Sequence, residues 1–185
     1  ETGTTEAQVD FAVGALASLA LDSDNKKLIA ESGGIPVLVA QVRNGHTAAI
    51  QTLACIALGN LTSNEVGNKG KSNKMLVAEA GGIEPLVDLA ATGMMEQREA
   101  AVGALWNLAF NDANKKLIAA AGGIPPLVDL VARGTPRQKE QAAGALANLT
   151  CVNRVRTRAP RPFAARLSLP GVWNQPEKAR APSNP

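Results

Sequence analysis

The sequence predicts an all-α solenoid of stacked three-helix repeats, and three observations carry that prediction. The first is internal repetition, which decides the architecture wherever it is present. "NKKLIAESGGIPVLV" from Asn25, "NKMLVAEAGGIEPLV" from Asn73 and "NKKLIAAAGGIPPLV" from Asn114 align, with Gly-Gly pairs beginning at Gly33, Gly81 and Gly122. The second is a block that follows each copy: "CIALGNLTSN" at 55–64, "VGALWNLAFN" at 102–111 and "AGALANLTCV" at 143–152. The third is composition. Hydrophobic residues make up 45% of the 185, aromatics only 3%, and tyrosine is absent. The core is therefore Ala, Leu, Val and Ile, which suits closely packed helices better than a sandwich of strands.

Taken in order, residues 1–24 end in "VGALASLALD" at 13–22 and read as the third helix of a partial leading repeat. Residues 25–64 form the first full repeat, 65–72 a polar inserted loop, and 73–112 and 113–152 two further repeats. The insertion accounts for a Gly-Gly spacing of 48 followed by one of 41. In each repeat a short first helix starts at an Asn or Asp cap and stops at Gly-Gly. A second helix opens at the Ile-Pro or Ile-Glu-Pro step, where proline suits a first turn. The third is longest, with Ala, Leu and Gly recurring at helical spacing. No unit can bury its apolar faces alone, so stacking is obligatory. Residues 153–185 break the pattern: six of the eleven prolines fall after Cys151, with seven Arg or Lys against one Glu. That tail reads as disordered, and it leaves the last repeat uncapped, a surface for fraying or self-association.

Charge and chemistry exclude several classes. The basic balance belongs to the tail; residues 1–151 carry twelve Arg or Lys against fifteen Asp or Glu. The third helices mix Glu96, Glu99, Arg137 and Glu140 without the basic stripe that nucleic acid requires, so no specific nucleic acid partner is expected. The single histidine, His46, excludes His-pair metal sites and leaves no partnered base for a nucleophile. "EVGNKGKS" at 65–72 ends like a phosphate loop but has Glu65 where the first glycine belongs and follows a helix. No catalytic residues, metal or cofactor are expected, and the chain reads as no enzyme. Cys55 and Cys151 read as reduced core thiols. With no apolar run long enough for a transmembrane span, the expectation is a cytoplasmic or nuclear protein. The first residue is Glu1, so the chain reads as a fragment.

The run "NKKLIAAAGGIPPLVDLVARGTPRQKEQAAGALANL" at 114–149 resembles an armadillo repeat, and the resemblance covers about residues 5–152. The Gly-Gly-Ile-Pro break is shared with vacuolar-adaptor-like members. The resemblance implies a right-handed armadillo-type α-solenoid whose third helices line a concave groove. It implies a protein–protein interaction scaffold that holds an extended peptide segment of another protein. The family's groove asparagine matches Asn60, Asn107 and Asn148, with Ser18 in the leading partial repeat. An amide offers a donor and an acceptor to a peptide unit; an inter-repeat or capping hydrogen bond is the competing use. Asn64 and Asn111, four residues on, extend the same face, and Trp106 is a groove-edge anchor or an inter-repeat packing residue. One turn before Ser18 and the three asparagines stand Gly14, Ile56, Gly103 and Gly144, where importin-α-type members often carry tryptophan. That departure disfavours an importin-α-type transport adaptor. The remaining alternative is the substrate-recognition region of a larger enzyme such as a U-box ubiquitin ligase.

Overall fold

The structure is a computed structural model, and it describes residues 5–63 and 72–151. Asn64, the insertion up to Lys71 and the tail at 153–185 lie outside the described residues. Among those described there are ten helices and no strand. A lone helix, α1 (Glu6–Leu19), precedes three units. The first is α2 (Ser23–Glu31), α3 (Gly34–Asn44) and α4 (Ala48–Thr62). The second is α5 (Asn73–Glu79), α6 (Ile83–Thr92) and α7 (Met95–Leu108). The third is α8 (Asp112–Ala120), α9 (Ile124–Arg133) and α10 (Pro136–Thr150). The α-solenoid of three-helix repeats expected from the sequence is what forms.

The break between first and second helices uses its two glycines for different physical reasons. Gly33, Gly81 and Gly122 take φ of 77°, 72° and 76°, the left-handed turn that ends a helix and costs a side chain about 1–2 kcal/mol. The glycine that follows needs space instead. A Cβ on Gly34, Gly82 or Gly123 would lie 2.6, 2.8 or 2.7 Å from the side chain of Ile29, Val77 or Ile118. The first helices are capped by Asp22, Ser72 and Asn111. Two of them therefore begin ahead of Asn25 and Asn114.

Third helices stack in sequence, α1 on α4, α4 on α7 and α7 on α10. Leu58, Leu61, Leu86, Leu105, Leu108, Ile118 and Leu127 are fully buried in one continuous core. Polar ties fix the register. Gln97 accepts from the Met94 backbone and donates to Gln51 Oε1 at 2.6 Å. Gln138 accepts from Thr135 and donates to the Met95 carbonyl at 2.9 Å. Each glutamine thus closes the start of its own helix and binds the helix before it. Within a repeat, Lys26 donates to the Ser63 carbonyl at 3.0 Å and Lys115 to the Cys151 carbonyl at 2.8 Å. These ammonium groups satisfy the open, electronegative ends of α4 and α10.

The last unit shows what stacking supplies. Ile35, Val39 and Val42 of α3, and Ile83, Val87 and Ala90 of α6, are at most 4% exposed. Their α9 counterparts Ile124, Val128 and Val131 are 44%, 52% and 39% exposed. One expectation needs correction here. Cys55 is a core thiol, its pKa pushed up to about 12 by burial. Cys151 is exposed, because α10 ends at Thr150 and the cysteine sits beyond it as the cap.

A candidate peptide groove on the third helices

Third helices α4, α7 and α10 border an open groove of about 810 Å³. Asn60 and Asn107 line it, with Ile56 and Gly59 of α4 and Met95, Glu96, Glu99, Gly103 and Trp106 of α7. Pro136, Arg137 and Gln141 of α10 close the far side. Asn148 stands outside that lining.

The amide column answers how a poor helix former is tolerated on a packed helix. Asn60 Nδ2 donates to the Ala17 carbonyl at 3.0 Å. Asn107 Nδ2 donates to the Gly59 carbonyl at 2.9 Å, and Asn148 Nδ2 to the Trp106 carbonyl at 3.4 Å. Each amide thereby tethers its helix to the third helix before it, as the glutamines do at the opposite end. The donor expected to face a peptide is used inside the fold. The acceptor is not: none of the described residues donates to these Oδ1 atoms. A fixed Nδ2 holds the carbonyl oxygen in one orientation, which turns a two-way amide into an oriented acceptor.

One of the other residues read from the sequence falls elsewhere. Asn111 does not share the face of α7, which ends at Leu108; its side chain caps α8, accepting from the Ala113 and Asn114 amides at 3.0 and 3.1 Å. The i+4 relation fails because the chain turns at Ala109 before Asn111 is reached. Asn64 lies outside the described residues. Trp106 is half-buried and lines the groove while packing across to α10. A Cβ on Gly144 would lie 2.6 Å from its Cε2 and 2.7 Å from its Nε1, so the indole occupies the space that glycine leaves.

Sequence reading missed Gln97, Gln138 and Gln141. The first two announce themselves by lying ten residues before Asn107 and Asn148 in the same helices. Gln141 lies on Gly103, whose Cβ would be 3.1 Å from its Nε2, and its buried Oε1 has no hydrogen-bond partner. Charge in the groove is mostly self-cancelled, since Arg137 Nε meets Glu99 Oε1 at 3.1 Å. Among the described residues, no group of three His, Cys, Asp or Glu is placed to hold a metal ion. No helix there is long and apolar enough to cross a membrane.

The family described as Armadillo/beta-catenin-like repeat matches residues 22–63, 70–110 and 111–151. Similar solved structures include an engineered protein at 31% identity and a TM-score of 0.70, covering 80% of this chain and 58% of its own. A designed armadillo repeat protein is similar at 25% identity and a TM-score of 0.72, with 80% and 60% covered. Another designed armadillo repeat protein, in complex with peptide (KR)4, is similar at 25% identity and 0.70, with the same coverage. This chain therefore spans less than two thirds of the length of these neighbours. No curated protein matches it.

Proposed function

Because the chain belongs to the armadillo/beta-catenin-like repeat family, we propose that it is a noncatalytic scaffold that holds an extended peptide segment of another protein along α4, α7 and α10. The observation that carries this reading is the pair of groove asparagines, Asn60 and Asn107, with donors committed and acceptors open. Helices packed about 8–10 Å apart meet an extended chain rising about 3.3 Å per residue. One oriented oxygen per repeat thus suits one backbone N–H in every two or three peptide residues. That a designed relative is seen with a peptide supports the same use of the fold here.

The test is a selection of displayed random decapeptides on the full chain, followed by calorimetric titration of the winners. Losing a single peptide hydrogen bond costs about 1 kcal/mol, so Asn60→Ala with Asn107→Ala is expected to weaken binding on the order of tenfold. The same amides stabilise the stack, so a control of similar structural cost is needed. Gln97→Ala severs the tie at the far end of the same helices and lies outside the groove lining. It is expected to lower the melting temperature comparably while leaving affinity unchanged. If both variants weaken binding in step with their loss of stability, the asparagines are structural alone and the reading fails.

A further inference from the structure

At the rung between α7 and α10 the two helices exchange side chains across their glycines. Trp106 of α7 lies on Gly144 of α10, and Gln141 of α10 lies on Gly103 of α7. Gly59 on α4 has no such partner and packs on the Ala104 backbone and Cβ at 3.8–3.9 Å. The groove thus has an aromatic wall at one rung. We infer that this rung is a subsite for one large, uncharged apolar side chain of the bound peptide, with Trp106 as its specificity-determining wall. The inference rests on the peptide-groove reading and adds what the groove selects.

Seating the indole on the Gly144 backbone fixes the ring before any ligand arrives, so little ordering is left to oppose binding. Ile56 and Met95 line the same groove and are 41% and 58% exposed, apolar surface that the bound segment would cover. Charge argues in the same direction. Of the three charged groups in the lining, Glu99 and Arg137 are joined at 3.1 Å, which leaves the exposed Glu96 alone. A solvated single carboxylate rewards a cation weakly, whereas burying a Leu or Phe side chain is worth on the order of tenfold to a hundredfold in affinity.

Decapeptides selected on the full chain are expected to share one position dominated by Leu, Ile, Met or Phe. Replacing that residue by Lys should weaken binding to the unmodified chain at least tenfold, and binding to Trp106→Ala less than threefold. Asn107→Ala should weaken both versions alike. If Trp106→Ala perturbs the stack, Trp106→Ala with Gly144→Ala fills the space the ring vacates and repeats the comparison. In a Trp173→Phe background, where Trp106 is the sole indole, binding should shift its emission to shorter wavelength. Selection of Lys or Arg at that position, or an affinity indifferent to Trp106→Ala, overturns the subsite and leaves the groove reading standing. If no decapeptide binds at all, the groove reading fails and the subsite falls with it.

Discussion

Leu105→Ala is expected to lower the unfolding free energy by about 3 kcal/mol, and Leu146→Ala by about 1 kcal/mol, measured by urea denaturation of the full chain. The two leucines occupy the same place in successive third helices, two residues before Asn107 and Asn148. Intrinsic helix propensity and the chemistry of the deletion are identical, so any difference reports neighbours alone. Leu105 is fully buried on a helix that packs on both α4 and α10, and truncating it opens a void that flanking helices on both sides cannot collapse to fill. Leu146 is only partly buried against the core, and part of what it loses is already in contact with water. Equal losses at the two sites would mean that each repeat carries its own core, contrary to the burial gradient from α3 and α6 to α9.

The second large effect is a coupling. Gly144→Ala alone is expected to destabilise by about 2 kcal/mol, because its Cβ would meet three atoms of the Trp106 ring at 2.6–3.0 Å. In a chain already carrying Trp106→Ala the obstacle is gone. The same substitution should then stabilise by up to about 1 kcal/mol, since alanine is the better residue inside a helix. The cycle therefore yields an interaction of roughly 2–3 kcal/mol, at the upper end for residues in contact. Additivity within about 0.5 kcal/mol would show that the ring does not rest on Gly144, and would remove the wall from the proposed subsite.

Much of the fold was legible because the repeat writes its physics in the same letters each time. Gly-Gly marks a turn that needs a left-handed residue followed by one without a side chain, and three copies of that pair place three breaks. The Asn-Leu endings locate the third helices, and the small residues at Gly59 and Gly103 announce close approach between them. What the sequence hid is what depends on the adjacent repeat. The amides at Asn60, Asn107 and Asn148 were visible as a column, but their direction was not. Nothing in "GALWN" says that Nδ2 reaches back to the Gly59 carbonyl and leaves only Oδ1 for a partner. Asn111 was misplaced for a local reason. Helical spacing from Asn107 assumes that the helix continues, while an Asn-Asp pair is equally a cap, and α7 stops at Leu108. Trp106 stood open between groove edge and inter-repeat packing, and the missing Cβ of Gly144 across the interface lets it line the groove while it packs on α10.

The central claim is that Asn60 and Asn107 receive backbone N–H groups of an extended peptide through their Oδ1 atoms. N-methylating each residue in turn of a selected decapeptide, and measuring its affinity for the full chain by calorimetry, tests that claim most directly. Methylation removes one N–H and leaves every side chain in place. The groove predicts losses of about fivefold at two positions spaced two or three residues apart, and no such loss at either position when the chain carries Asn60→Ala and Asn107→Ala. Losses at those positions that persist in the double variant, or affinity indifferent to methylation anywhere along the peptide, would contradict it.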